Sequence, residues 1–446
     1  MEDTPQPALR RHIGLIALTL YGLGDILGAG IYGLVGKAAG QMGNAVWLAF
    51  LASMVAAGFT GLSYAAVGSR HPRAGGAAYV TARAFRRTWL AYLVGLATMA
   101  SGLTSMATAS RVFAGYLQGM LPSIGMDPLT FVFATVITFI VWYGIRETIA
   151  TNAVCTVVEL SGLLLIIVFG LSYIGSVDYL DAVTVGNSAG LITPGLVLGG
   201  AVLTFYSYIG FEDMLNVSEE VKNPVRVLPR ALILAVVGAS AIYILISLIA
   251  VSVIPAADLA QSKQPLVDVV RVAMPWFPPR VFTFIALFAV SNTALLNFVM
   301  ASRLLYGMSR QGLMPAVLGR IHPRTATPHI AIAVLYVVLL ALALSGDVSQ
   351  LARATSVLLL SCFVVVNAAL LVLKRREPAA PGVFDVPWFV PVAGAVICAA
   401  MLSQAKRPEL TTAGILLAVI ATLYLVLRPS AKAVEAMERE DNSTRG

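Results

Sequence analysis

Three acidic side chains, Asp25, Glu159 and Glu212, lie inside long apolar runs of this 446-residue chain. An ionised acid at the centre of a bilayer costs at least about 2.5–3.5 kcal/mol, so three unpaired ones would cost on the order of 8–10 kcal/mol if the terms added. That is comparable with the stability of a whole fold. Each acid must therefore face a wet cavity, meet a partner, or carry a proton, and a carboxyl group withdrawn from water suits loading and releasing H⁺. The plainer alternative for any one of them is a structural bond to a backbone amide or a serine. A proton moving down 100 mV supplies about 2.3 kcal/mol, and each pH unit adds about 1.4, enough to drive accumulation of a solute. Asp213, beside Glu212, reads as the start of a polar half-helix.

Two of these acids sit where helical sequence is interrupted. One stretch reads Gly22-Leu23-Gly24-Asp25-Ile26-Leu27-Gly28-Ala29-Gly30-Ile31-Tyr32-Gly33, the other Phe205-Tyr206-Ser207-Tyr208-Ile209-Gly210-Phe211-Glu212-Asp213. Glycine weakens a helix by about 1 kcal/mol relative to alanine, so the first stretch favours unwinding; the second, with one glycine beside two acids, is the weaker signal. An unwound turn in hydrocarbon frees N–H and C=O groups that lipid cannot satisfy. The N-terminus of a half-helix suits a carboxylate, and carbonyls at the opposite broken end suit an ammonium group or a cation. An amino acid carries both charges on adjacent atoms. Gly28, Ala29 and Gly30 would let such a ligand approach the main chain closely. The same glycines match GxGxxG, but apolar flanks replace the strand and amphipathic helix that a dinucleotide site needs. No Walker A sequence accompanies Lys37, so ATP-driven transport by this chain alone is not expected.

Ser101, Thr104, Ser105 and Thr108 fall on one helical face, read either as a cavity wall or as close packing through small residues. Ser291, Asn292, Thr293 and Asn297 are further polar candidates in a later run, and Tyr206, Tyr208 and Phe211 are candidates for an aromatic lid. His12, His71, His322 and His329 all fall in or beside polar connections, leaving no imidazole for catalysis at mid-membrane. Cys155, Cys362 and Cys398 form no disulfide framework and no metal spacing. Neither an enzyme nor a resident cofactor or metal is expected.

The elements that hold these residues are membrane helices. Hydrophobic residues make up 58% of the chain and charged residues 12%, with mean hydropathy +0.85; a soluble domain carries about 25% charged residues. At roughly 20 residues per crossing, spans are expected near 13–36, 43–68, 88–119, 128–145, 150–175, 192–219, 230–254, 280–309, 328–345, 352–373, 386–403 and 410–427. Barrel strands are excluded by the length of the apolar runs. An N-terminus in the cytoplasm puts Arg70, Arg73, Arg83, Arg86, Arg87, Lys222, Arg226, Arg310, Arg320 and Lys374–Arg376 inside, with Asp127, Asp178 and Asp181 outside. This positive-inside asymmetry accounts for most of the net charge of +8 without nucleic acid. The first run continues through Gly36 without a convincing cleavage site, so no signal peptide is expected. The expected organisation is a cytoplasmic tail 1–11, a membrane domain 12–430 and a cytoplasmic tail 431–446, in the cell membrane. Five spans separate the starts of the two irregular ones, the first and the sixth, which therefore occupy equivalent places in two halves of five, the strongest sequence pointer to a transporter binding site. A stretch over 255–279 is amphipathic and too polar to cross.

Four ordered motifs resemble the amino acid–polyamine–organocation superfamily of permeases. Gly24–Tyr32 resembles its broken first helix, GxxIGxGIF, and Pro72–Tyr79 its PxAGGxY loop. Gly210-Phe211-Glu212 with Glu219–Pro229 resembles the sixth helix and the loop beyond, and Ser302–Pro315 the end of the eighth. The resemblance covers roughly residues 12–430. It implies an all-α membrane protein of about 12 transmembrane helices: a 5+5 inverted repeat (about 12–176 and 190–375) with discontinuous helices 1 and 6, plus two additional C-terminal helices (about 385–428). It also implies alternating access, the substrate carboxylate on Gly28, Ala29 and Gly30, and the amine on carbonyls of Tyr206, Ser207 and Ile209. Glu212 matches an acidic position linked to gating or proton response, and Glu159, Glu212 and Asn292 are the candidates for coupling or gating. Asp25 stands where members commonly have an uncharged residue. Glu159 stands where some proton-coupled members have a lysine; an acid there would bind a proton, a metal cation or a second amine. The leading expectation is proton-coupled symport or exchange of an amino acid. The alternative is an antiporter for polyamines or cationic amino acids, and a nutrient sensor that does not transport is the alternative of another class. Substrate, direction and oligomeric state stay open.

Overall fold

The computed structural model describes residues 11, 13–71, 76–144, 149–215, 217–310, 313–325, 327–377 and 382–427. The expected tails 1–11 and 431–446 lie outside these residues except for Arg11, as do His12, Pro72–Gly75 of the second motif and Gln311-Gly312 of the fourth. The described residues are helical, with only two isolated bridges of extended backbone.

In chain order the helices are α1 (Leu15–Ile26), α2 (Ala29–Met42), α3 (Val46–Arg70), α4 (Gly76–Phe85), α5 (Thr88–Gln118), α6 (Met126–Tyr143), α7 (Ile149–Gly170) and α8 (Pro194–Thr204). They continue as α9 (Pro224–Val253), α10 (Ala256–Gln261), α11 (Pro265–Ala273), α12 (Pro279–Arg310), α13 (His329–Ser345), α14 (Val348–Arg376), α15 (Phe389–Leu402) and α16 (Arg407–Leu427). Among the described residues, nine helical stretches are long and apolar enough to cross a membrane, and α1, α13 and α15 are shorter apolar helices. A chain of this kind is a multi-pass membrane protein.

Burial sorts the helices into layers. In the most apolar stretch of α5, 72% of residues are buried in protein; in α16 the figure is 11%, so α16 lines the rim and α5 the centre. α12 and α14 both lie along α5, while α3 lies along α9. Outward-facing Leu425, Val426, Val337 and Phe139 are the apolar side chains that lipid covers. Helix starts follow capping rules. Thr193 accepts a hydrogen bond from the Leu196 N–H ahead of Pro194, and Asp347 accepts one from Gln350 at the start of α14.

The two ends of the bundle differ. Where α3 and α14 finish, Arg70 and Lys374 pair with Asp385 at 2.9 and 2.6 Å, and Arg83 pairs with Glu377. Partial burial works to raise the Asp385 carboxyl, but hydrogen bonds from Lys374 and Arg70 outweigh it and hold its pKa below the usual value. At the opposite end, the short helices α10 and α11 pack over α2, with Lys37 Nζ donating to the Ala260 carbonyl at 2.8 Å.

Candidate functional site at two broken helices

The first apolar span stops and restarts. Leu27 N–H closes the last turn of α1 on Leu23 O at 2.7 Å; Gly28 then adopts φ 132° and ψ −131°, and α2 starts at Ala29. That φ belongs to the region glycine tolerates and a Cβ does not. The sixth span does likewise. α8 ends at Thr204, a 3₁₀ turn covers Phe205–Tyr208, Gly210 takes φ 122°, and a second 3₁₀ turn covers Phe211–Leu215.

The breaks face one another. A Cβ on Gly30 would stand 2.5 Å from Ser207 Cα, and one on Gly210 would stand 2.8 Å from the Asp25 carbonyl. One hydroxyl stitches them together: Tyr243 of α9 bonds Ile26 O at 2.6 Å and Ser207 O at 2.8 Å. From α12, Thr293 Oγ1 accepts the Ala29 N–H at 3.3 Å. The first-turn N–H groups of α2 have no partner within that helix, so the start of α2 offers donors and positive partial charge. The end of α1 offers carbonyls, with Asp25 in its last turn.

A small pocket of about 10 Å³, roughly one water's worth of room, lies between the breaks and is lined by Asp25, Ala29, Gly30, Ser105, Tyr206, Ile209, Gly210, Asp213, Thr293 and Asn297. It adjoins a larger cavity of about 310 Å³ bordered by Tyr21, Tyr64, Ser101, Glu212, Asp213, Glu220 and Asn297, which reaches the exposed Arg303. Ile209, Asp213 and Asn297 border both. We call the larger cavity the vestibule.

Of the residues singled out in the sequence, Asp25, Ala29, Gly30, Ser105, Tyr206, Ile209, Thr293 and Asn297 line the deep pocket, while Ser101 and Glu212 line the vestibule, which Asn297 also borders. Gly28 forms the break itself. Ser207 is buried against Gly30, and its Oγ has no hydrogen-bond partner among the described residues. Thr104 turns to α14, where it accepts from Thr355 at 2.7 Å, and Thr108 bonds the Thr104 carbonyl. Tyr208 and Phe211 do not border either cavity. Tyr208 donates to Phe50 O and packs on Tyr243, and Phe211 packs on Tyr64 and Phe363. Tyr206 and Ile209 thus line the pocket, while Tyr208 and Phe211, on either side of the break at Ile209 and Gly210, face the core. The lid expected from the sequence is thus reduced to Tyr206, whose hydroxyl bonds Ser105.

Glu159 lies behind the breaks on α7 and is fully buried. Among the described residues neither carboxylate oxygen makes a hydrogen bond of good geometry, and the Asn292 carboxamide, whose Nδ2 is likewise unsatisfied, is the polar group that faces it. The Tyr32 hydroxyl bonds the Glu159 main-chain oxygen at 3.0 Å, which fixes α7 against α2. Glu212 accepts the Gly210 N–H at 3.0 Å. Among the described residues no group of His, Cys, Asp and Glu has the arrangement of a metal site. Tyr243 was not singled out in the sequence, because nothing in its apolar surroundings marks a hydroxyl that reaches two distant carbonyls.

The family of the chain is decided by comparison with known proteins: the model of the family described as "Amino acid permease" matches residues 13–427. The chain belongs to this family, within the amino acid–polyamine–organocation superfamily. The permease is 26% identical over 412 residues to a branched-chain amino acid permease of Bacillus subtilis, covering 88% of this chain and 87% of that one. It is 31% identical over 396 residues to a vacuolar cationic amino acid transporter of Arabidopsis thaliana, covering 83% of this chain but 64% of the relative. A methylthioribose transporter of Bacillus subtilis is 26% identical over 415 residues, covering 88% of this chain and 87% of that one. The relatives are transporters, and their substrates differ.

Proposed function

We propose that this permease is a secondary active transporter that carries amino acids across the cell membrane by alternating access, with a proton as coupling ion. The observation that carries the reading is the pair of helix breaks packed on each other around a polar pocket, with helix ends of opposite polarity at one of them. In this reading the substrate carboxylate lies against the start of α2 at Gly28, Ala29 and Gly30. Its ammonium group meets Asp25 and the carbonyls of Tyr206, Ser207 and Ile209. The spans of α1–α7 and those of α8–α14 form the 5+5 inverted repeat, about 12–176 and 190–375, with α15 and α16 added and both termini in the cytoplasm. The vestibule then opens to the cytoplasm, and the packed α10–α11 segment closes the outer side. Glu159, buried against the Asn292 carboxamide with no ion-pair partner among the described residues, is the proton carrier, because a neutral carboxyl is the form such surroundings tolerate. Glu212, fixed to the Gly210 N–H, relates the gate to the break.

A second reading is supported by the acids at the pocket. Asp25 and Asp213 both border it, and several relatives are named as cationic amino acid transporters, so a cationic amino acid or polyamine exchanged in antiport is the variant to test beside the first. Purified permease in proteoliposomes, offered labelled neutral and cationic amino acids and putrescine with and without a pH gradient, tests both. Uptake of an amino acid that rises with the gradient is expected. Glu159→Gln is expected to lower gradient-driven uptake at least about tenfold, a loss of about 1.4 kcal/mol of driving force or transition-state stabilisation, while leaving counterflow exchange measurable. Unimpaired gradient-driven uptake in this variant would remove Glu159 from the coupling path.

A further inference from the structure

A proton that loads Glu159 has to reach it, and neither cavity leads there. Glu159 is fully buried and borders neither the pocket nor the vestibule. Tyr32 of α2 and Tyr243 of α9 face it, together with the Asn292 carboxamide of α12. The two tyrosine hydroxyls hold Glu159 O, Ile26 O and Ser207 O, so admitting water past them would undo bonds that keep the breaks together. Of the other elements packed on α7, α1 has Tyr21 at the vestibule and Asp25 at the deep pocket, and on α11 Asp268 pairs with Arg271 at 3.2 Å.

Along α7 itself the surroundings are polar. Asn152, Thr156 and Glu159 recur at i, i+4 and i+7, one face of a helix, and all three are buried. Thr156 meets α1: its hydroxyl lies 3.2 Å from Leu20 O, as well as 2.8 and 3.3 Å from Asn152 O and Oδ1. Gly24 leaves the room for this, since a Cβ there would stand 1.9 Å from Thr156 Oγ1. Buried polar groups ordinarily have partners, in protein or in water. Here Asn152 Nδ2, Asn292 Nδ2 and both Glu159 carboxylate oxygens lack a bond of good geometry among the described residues. A back-bond from Thr156 to its own helix would explain the threonine alone and none of the others. The face covers about 10 Å from Glu159 to Asn152, in the first turn of α7. That turn lies at the vestibule's end of the bundle, because α6 finishes where the Thr327 hydroxyl, in the connection after α12, bonds Trp142 O at 2.9 Å.

Resting on the proton-coupled reading above, we propose that Asn152 and Thr156 form a proton path between Glu159 and the end of the bundle where the vestibule opens, separate from the passage that the substrate takes. Side chains three apart on a helix are about 5–6 Å from one another, a gap that one water spans. The Glu159 proton passes to that water, which gives one of its own to Thr156 Oγ1. The threonine releases its original proton to a water held by the Asn152 amide, and Glu159 is left a carboxylate. Substrate can then exchange through the vestibule while the proton stays on Glu159, so exchange and proton release are separable steps.

The test uses wild-type permease, Thr156→Val, Thr156→Ser, Asn152→Leu and Glu159→Gln in proteoliposomes. The substrate is labelled leucine or lysine, whichever wild type takes up faster, and a lumenal pH dye reads proton flux. Valine keeps the shape of threonine without its hydroxyl. Thr156→Val and Asn152→Leu are expected to lower kcat for gradient-driven uptake, and the dye signal with it, at least about tenfold. KM and the rate of counterflow exchange at uniform pH should stay at wild-type values, and Thr156→Ser should restore the proton flux. Equal loss of gradient-driven uptake and exchange in Thr156→Val would overturn the proposal, since that is what a packing role predicts. So would wild-type proton flux in Thr156→Val and Asn152→Leu beside a Glu159→Gln that has lost it; Glu159 would then load by another route and the coupling reading would stand. Unimpaired proton flux in Glu159→Gln would remove Glu159 as carrier and this path with it.

Discussion

At the scale of single residues, Tyr243 is the clearest case of a side chain whose task only the folded structure discloses. Its hydroxyl has one proton and lies within bonding distance of Ile26 O and Ser207 O, one from each broken span. Removing the oxygen leaves two buried carbonyls short of a donor, and an unsatisfied buried group costs about 1–3 kcal/mol. Tyr243→Phe is therefore expected to lower the thermal unfolding midpoint of the detergent-purified permease. It should also weaken substrate binding, read as a higher KM, because the two halves of the pocket would no longer be held in register. An unchanged midpoint and an unchanged KM would show the link to be idle. Other residues of the site were open to sequence reasoning to different degrees. Asp25 and Glu159 stood out because a charge within an apolar run has few explanations. Gly28 stood out because glycines cluster round it. Asn297 and Thr293 were polar candidates in the sequence with nothing to set them apart from packing residues, and their position opposite the breaks is what distinguishes them. Tyr208 and Phe211, candidates with Tyr206 for an aromatic lid, face the core instead, because the backbone changes course at Ile209 and Gly210 and residue types alone do not disclose which way each ring is turned.

Helices are the next scale, and here a buried ion pair does what no periodicity announces. Arg353 near the start of α14 pairs with Glu409 of α16 at 3.4 Å, with both side chains buried. It also donates to Gly199 O of α8 at 2.8 Å and to Gln41 of α2. The half-helices that carry the breaks, α2 and α8, are thus tied at one end to α14 and α16. The corresponding tie at the other end is made by backbone: Ile13 exchanges hydrogen bonds with Glu220 and Lys222, joining the start of α1 to the segment after the second break. Each broken span accordingly has one half anchored to the other span's chain and one half anchored to the surrounding helices. Taking away the cation alone leaves buried Glu409 with the Lys406 N–H as its remaining partner, and breaking a buried pair from one side costs about 3–5 kcal/mol. Replacing both partners with apolar residues of similar volume is often neutral. Arg353→Met should therefore unfold at a markedly lower temperature than wild type, and Arg353→Met with Glu409→Leu should recover much of the difference. If the double variant is no better than the single one, the pair is not acting as a unit. The helical class and the position of the first break were legible because hydropathy and glycine content are local properties. This pair was not, because its members lie on helices that meet only through tertiary packing.

For the molecule as a whole, the question is which side of the membrane the pocket communicates with in the state seen here. The vestibule reaches Arg303, at the end where Arg70, Arg83 and Lys374 gather. At the far end Lys37 and Ala260 join α2 to α10, and Leu259, Leu266 and Val267 are buried beneath the short helices. One side is open and the other closed, as one member of an alternating pair would be. Basic residues mark the cytoplasmic face of a membrane protein, so the vestibule is expected to be wetted from the cytoplasm. Met300, on the vestibule wall, offers a probe of this. The three natural cysteines, of which Cys362 and Cys398 are buried and Cys155 is partly so, can be replaced by serine to give a silent background. In that background, Met300→Cys should react with a membrane-impermeant maleimide in inside-out vesicles and be spared in right-side-out ones. Excess transported amino acid should slow the reaction, because substrate bound at the breaks sits against the same chamber. Preferential labelling from outside would invert the orientation and require α10 and α11 to lie on the cytoplasmic face. Equal labelling from both sides would show that the vestibule does not open to one face alone.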